Sequence, residues 1–185
     1  MDAALDGAIR IFRERGYHAT SLGDLGSAMA LTAGSIYKAF ADKRAVFIAA
    51  FDRYVQRRNT GLQRLVDAES TGRDKVRAVL QFYADSAHGV EGKRGCLVVG
   101  SATDLATFDS EVADRITGAL RRIETMLCRL IRLGQADGSI ASSLDPAASA
   151  CALLSLIQGF RVVGKAGRSR AQMTAAVNQV MQLLG

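Results

Sequence analysis

The chain has 185 residues, 49% hydrophobic and 23% charged, with one proline. That length is enough to bury an ordinary core, so a small disulfide-stapled scaffold is excluded, and the apolar content excludes a disordered chain. The formal net charge of +6 permits an acidic partner, but residues 1–50 hold six cations (Arg10, Arg13, Arg15, Lys38, Lys43, Arg44) against five acids (Asp2, Asp6, Glu14, Asp24, Asp42), so the excess is not concentrated there.

The predicted elements are all helices, because β-branched alternating runs and Asn-Gly hairpins are missing from the sequence. Leu5, Ala8, Ile9 and Phe12 repeat at helical spacing and Gly16 follows as a stop, which predicts a first helix over 2–15. Ser21 with Asp24 three residues on starts a short second helix whose buried stripe is Leu22, Leu25 and Met29. Thr32 caps a third carrying Ile36 and Phe40 inward, and Asp42 caps a long fourth with Val46, Phe47, Phe51, Tyr54 and Val55 on one side. Helices follow near 73–88, 96–106 and 110–136, the last with a stripe of Val112, Ile116, Leu120, Ile123, Leu127, Leu130 and Ile131. Asp145-Pro146 starts another, and Ser169 with Gln172 caps the final one, to about 184, giving nine helices.

The run 147–163 is apolar nearly all the way round. A membrane span is not expected, since a bilayer needs roughly 20 predominantly apolar residues and this run is shorter and carries Gln158 and Arg161. The two readings left are a central core helix and a helix whose second face is covered by another subunit.

The second and third helices, with Met29-Ala30-Leu31 between them, have the lengths of a helix-turn-helix. With Ile36 and Phe40 facing the core, the 100° step puts Gly34 and Lys38 on the outer face with Ser35 and Tyr37 at its sides. Such a small, flat, basic face suits the DNA major groove: Gly34 lets backbone approach, Lys38 reaches guanine edges or phosphate, and Ser35 and Tyr37 offer hydroxyls. Lys43, in the first turn of the fourth helix, conflicts with the positive dipole end, and a bound phosphate would relieve that conflict. Thr20 and Ser21, at the start of the second helix, are placed to hold a second phosphate.

The run Gly16-Tyr17-His18-Ala19-Thr20-Ser21, then Leu31-Thr32-Ala33-Gly34-Ser35-Ile36-Tyr37-Lys38-Ala39-Phe40, then Asp42-Lys43, resembles the DNA-binding signature of the tetracycline-repressor (TetR) family. The resemblance covers about residues 3–51, and in the remainder only the helical layout and stretches such as Gly95-Cys96-Leu97 and Leu144-Asp145-Pro146 are similar. It implies an all-α protein with a helix-turn-helix DNA-binding domain over 1–45 and an effector-binding and dimerisation domain over 46–185. By the same resemblance, Thr32 and Ala33 join the residues presented to double-stranded operator DNA. A homodimer would form through 147–163 and a neighbouring helix, placing two recognition helices roughly 34–36 Å apart on a palindrome. A small-molecule effector would then release the operator. Two departures stand out: Ala30 replaces the glycine usual in the turn, at a cost of about 1 kcal/mol if left-handed, and Ala39 replaces a histidine or tyrosine.

Candidate effector contacts are Phe51, Tyr54, Phe82, Tyr83, Cys96, Met126 and Gln158, a set that suggests a modest, mostly apolar ligand. Cys96 follows Lys93 and Arg94 at a helix start, where charge and dipole favour a thiolate, so an alternative trigger is an electrophile or oxidant acting there. Gly159 to Ala166 nearly spells a phosphate loop, but Ala166 stands where a hydroxyl is needed. No metal, cofactor or catalytic activity is expected, because His18 and His88 are isolated and no nucleophile has a base. Three scattered cysteines (Cys96, Cys128, Cys151) and a start without a basic, apolar leader point to the cytoplasm.

Overall fold

The computed structural model describes residues 1–106 and 109–185, and among them it has ten helices and no strand. These are α1 (Asp2–Arg15), α2 (Leu22–Met29), α3 (Ala33–Ala39), α4 (Lys43–Asp67), α5 (Gly72–Asp85), α6 (Gly89–Arg94), α7 (Leu97–Asp104), α8 (Ser110–Ala136), α9 (Pro146–Lys165) and α10 (Arg170–Gln182). The nine expected helices are all present, and α6 is an additional short one that begins at Gly89, a left-handed residue with φ 59°. Caps read from sequence are made as side-chain bonds. Ser21, Thr32, Asp145 and Ser169 each accept the N–H three residues on, and Ser21–Asp24 and Ser169–Gln172 are reciprocal boxes.

The described chain divides into two compact units, Met1–Arg58 with Cys96–Ile116, and Asn59–Gly95 with Thr117–Gly185. The first extends past residue 45 because the opening turns of α4 carry Phe47 and Phe51 into its aromatic centre. There Phe47 meets Phe12 edge-on at 5.2 Å, Tyr17 at 5.3 Å and Phe51 at 6.1 Å. Around that centre two guanidinium forks fix α4. Arg53 holds both oxygens of Asp6 on α1 at 2.8 and 3.1 Å, and Arg44 holds both of Asp109 at 2.5 and 2.9 Å. Asp109 also accepts the Val112 N–H at 3.1 Å, so one carboxylate caps α8 and anchors α4.

The second unit is built on a continuous apolar core from α4, α5, α8, α9 and α10, with Leu62, Val79, Leu80, Leu127, Ile131, Ile157, Val177 and Met181 essentially sealed from solvent. The stripe predicted for α8 is its inner face, with Leu120 half-buried and the other six buried. Close backbone approach sets the helix spacing. A Cβ on Gly164 of α9 would overlap the Ala87 carbonyl, and one on Gly92 of α6 would meet the same group at 2.6 Å. The 159–166 stretch that nearly spells a phosphate loop is therefore the end of a packed helix.

α9 has 20 residues and is by length and composition able to cross a membrane, so the expected shortfall in length does not hold. Packing argues against a span instead, because Ala150, Leu153, Ile157, Phe160 and Gly164 are buried in the helical core together with Arg161. Arg161 is 2% exposed and among the described residues has no carboxylate partner. Its Nη1 donates to the Ser86 carbonyl and, at 2.8 Å, to Ser86 Oγ, and its Nη2 donates to the Gly95 carbonyl at 3.3 Å. Those carbonyls belong to the cap residues that end α5 and α6, where the helix dipoles are negative, so two helix ends supply the counter-charge.

Two predictions follow from these clamps. Replacing Arg161→Leu leaves the Ser86 and Gly95 carbonyls without their donor and is expected to cost about 2–4 kcal/mol in urea unfolding; an unchanged midpoint would refute the clamp. Arg44 lowers the Asp109 carboxyl from 3.8 to about 2. Because the folded value is depressed, the stabilisation is complete above about pH 4 and is lost as pH falls through about 2. Acid titration of Asp109→Asn should then lack the part of the stability decline that the parent shows in that window, and identical acid profiles would count against the pair.

Candidate nucleic-acid interface

The helix-turn-helix is organised by α1 and by the 16–20 turn. Gly7 lets α1 close onto α2, since a Cβ there would overlap the Ala28 carbonyl. Leu25 and Met29 of α2 and Ile36 of α3 supply the buried contacts. Between α2 and α3, Ala30 has φ 53° and ψ 43°. Its N–H donates to the Ser27 carbonyl at 3.4 Å and the Leu31 N–H to the Gly26 carbonyl at 3.0 Å, the paired bonds of a Schellman stop. The alanine expected to be strained is thus in the left-handed region.

The face of α3 opposite Ile36 is bare. Gly34, Ser35 and Lys38 are exposed, Tyr37 is 53% exposed, and a Cβ on Gly34 would meet nothing within 4 Å. Among the described residues Lys38 and Tyr37 have no hydrogen-bond or ion-pair partner. Thr32 and Ala33, at the start of α3, are also exposed, and the Thr32 hydroxyl takes the Ser35 N–H at 3.2 Å and lies 2.9 Å from Ser35 Oγ. Ser21 is exposed at the start of α2. Its N–H and hydroxyl donate to Asp24 at 2.9 and 2.7 Å, and the N–H bond chiefly holds the Asp24 carboxyl below its ordinary value.

Two expected phosphate contacts have other employment. The Thr20 hydroxyl is buried and donates to the Gly16 carbonyl at 2.6 Å, which closes the turn before α2. Lys43 Nζ donates to the Tyr17 and Thr20 carbonyls at 3.1 and 3.0 Å and lies 4.4 Å from the centre of the Tyr17 ring. The dipole conflict at Lys43 is relieved within the chain by two carbonyls and a ring face. Both side chains shape the interface from behind. Burial of Tyr17 against this cluster pushes its phenol above its ordinary value.

The effector candidates fall in both units. Phe51, Tyr54 and Cys96 belong to the first, where Phe51 and Tyr54 are buried and the Tyr54 hydroxyl lies 3.6 Å from Cys96 Sγ at the N-cap of α7. Phe82, Tyr83, Met126 and Gln158 belong to the second; Tyr83 is core, and Phe82 packs on it edge-on at 5.6 Å. Of the seven, Met126 alone lines an open cavity of about 590 Å³ between α4 and α8, with Thr60, Gln63, Arg64, Arg122 and Arg129. In the sequence those polar residues look like ordinary solvated faces of two separate helices. Cys96, Cys128 and Cys151 are all thiols, and no cluster of metal-ligating side chains occurs among the described residues.

An all-helical fold with an exposed recognition helix of this kind defines a helix-turn-helix transcription regulator. The chain matches the model for bacterial regulatory proteins of the tetR family over residues 4–50 and the tetracyclin repressor-like C-terminal domain over residues 72–180. It belongs to the TetR family. It is 28% identical to the HTH-type transcriptional repressor ComR of Escherichia coli (strain K12) over 187 aligned positions, covering 100% of this chain and 85% of that protein. To the repressor DhaR of Mycobacterium sp. (strain GP1) it is 25% identical, covering 95% and 87%. Among solved structures it is similar to a cysteine mutant of the TetR family regulator CifR complexed with 26bp double-strand operator DNA, with TM-score 0.89, 26% identity and coverage of 100% and 96%. A regulator from Cytophaga hutchinsonii shares the fold at TM-score 0.84 and 24% identity, covering 98% and 90%.

The left-handed Ala30 gives a direct test of the turn. Ala30→Gly removes a steric cost and is expected to raise stability by about 1 kcal/mol, read as a higher urea midpoint; a lower midpoint would mean the turn is not held as described.

Proposed function

We propose that this protein is a ligand-responsive repressor that binds a palindromic operator as a homodimer in the cytoplasm and leaves it when a small molecule binds. Residues 1–45 bind DNA and 46–185 hold the effector and the dimer contact. The observation that carries the reading is the bare Gly34–Lys38 face of α3, on which Tyr37 and Lys38 have no partner among the described residues, on a helix otherwise fixed by Ile36 and its Thr32 cap. On it Lys38 reads a guanine edge or phosphate, Tyr37, Ser35 and Thr32 offer hydroxyls, and Ala33 and Gly34 admit the duplex wall. Ser21 borders the same face, while Thr20 and Lys43 position it. ComR and DhaR are repressors by name, and CifR was captured on operator DNA, which supports the same role for this chain.

Support for the dimer comes from α9. Opposite its buried face it exposes a stripe of small and apolar residues, Ala148, Cys151, Ala152, Ser155, Val162 and Val163, at helical spacing. Its mate in a twofold pair, with α10 or α8 beside it, covers that stripe. The effector contacts are drawn from Phe51, Tyr54, Phe82, Tyr83, Cys96, Met126 and Gln158.

Duplexes selected from random sequence by the purified protein should contain a palindrome, with affinity falling by orders of magnitude between about 50 and 200 mM salt. On such a duplex Lys38→Ala is expected to weaken binding by about tenfold, relax sequence preference and leave the unfolding midpoint unchanged. Lys43→Ala should lower both affinity and stability, because it releases the Tyr17 and Thr20 carbonyls. A Lys38→Ala protein that binds like the parent would overturn the recognition face.

A further inference from the structure

The groove between the later turns of α4 and the middle of α8 has no part in reading DNA on α3. It is an open cavity of about 590 Å³. Arg122 and Arg129 stand two turns apart on one side of α8, and Arg64 stands on α4. All three are exposed, and among the described residues none has a hydrogen-bond or ion-pair partner. Several other arginines do find acids: Arg44 takes Asp109, Arg53 takes Asp6, and Arg115 takes Glu111. The acid in the groove lining, Asp67, is turned to Gln63, whose Nε2 donates to it at 2.7 Å. Three guanidiniums less one carboxylate leave the hollow with two uncompensated positive charges.

Folding does not favour this arrangement, since like charges gathered around one hollow repel. An anion in the hollow removes the repulsion, and planar guanidinium forks match carboxylate or phosphate oxygens two at a time. Beside the arginines lies Met126, half-buried against the core of the second unit, and it offers an adaptable apolar surface. Thr60 and Gln63 add hydrogen-bonding groups at the rim. We infer that this groove binds a small organic anion, with a phosphate or carboxylate head held among Arg64, Arg122 and Arg129 and a short apolar body laid on Met126. The inference concerns ligand binding in the second unit and is independent of what α3 does to DNA.

Calorimetric titration of the full chain with phenyl phosphate at low salt tests it, with inorganic phosphate and phenol as the headgroup and the body alone. Phenyl phosphate should saturate the groove with a Kd of about 1 mM or tighter, inorganic phosphate should bind more weakly, and phenol should give no heat. The Arg122→Gln, Arg129→Gln double variant should weaken phenyl phosphate at least tenfold, and Met126→Ala should reduce its advantage over inorganic phosphate. Arg170→Gln, which removes a surface charge elsewhere, should leave binding unchanged. These arginines are exposed, so circular dichroism should show the variants folded. Absence of saturable binding, equal binding by parent and double variant, or an equal loss in the Arg170→Gln control would each overturn the site. Operator affinity measured on the same samples separates failure of the groove from failure of the DNA reading.

Discussion

One ammonium group organises the interface end of this protein. Lys43 begins α4, where its charge opposes the helix dipole, and that charge is satisfied by the Tyr17 and Thr20 carbonyls and the face of the Tyr17 ring. The same bonds fix the 16–20 turn, and the turn in turn fixes where α2 starts. Phe12, Tyr17 and Phe47 close around that joint as a cluster of edge-to-face rings. The recognition helix has only seven residues, too few to be helical alone. It holds its shape because Ile36 is buried, Thr32 caps it, and the parts it rests on are tied together by Lys43.

A parallel solution operates in the second unit, where a buried cation is again satisfied without an acid. Arg161 draws the end of α5 and the cap of α6 onto α9, and Gly92 and Gly164 let those backbones reach contact distance around Ala87. A carboxylate would bring its own desolvation cost, whereas the carbonyls at two helix ends need donors in any case. The orphaned Nε of Arg161 shows the limit of the arrangement: two ends of the fork are served and the third position is not.

What the sequence made legible was local. Caps such as Ser21–Asp24 and Ser169–Gln172, the stripe of α8, and the inward Ile36 depend on neighbours within one or two turns, and all are present in the structure. Lys43 was half legible. The electrostatic conflict can be read from its place after Asp42, but the group that relieves it is a turn 23 to 26 residues away in sequence. Thr20 was read as a phosphate contact, and its bond to the Gly16 carbonyl was missed for the same reason, because burial of its hydroxyl depends on how α1 and α2 close. α6 had no cap signal and rests on a left-handed Gly89. The cationic groove is a property of two helices brought side by side, and neither Arg64 nor Arg122 signals it alone.

α9 shows how one sequence segment carries two constraints at once. Its buried face must pass Ala87 closely, which demands Gly164, and must place Arg161, which interrupts an otherwise apolar run. Its open face is built from alanine, serine, cysteine and valine, residues small enough for another helix to approach at short range. A helix serving a single core would carry polar or charged residues on that open face, as α4 does with Gln56 and Arg57. The missing polarity is why α9 satisfies the length and composition of a membrane span while one of its faces is filled by its own protein. In the homodimer proposed above, a two-fold mate would supply the other apolar surface, and the same composition would need no lipid.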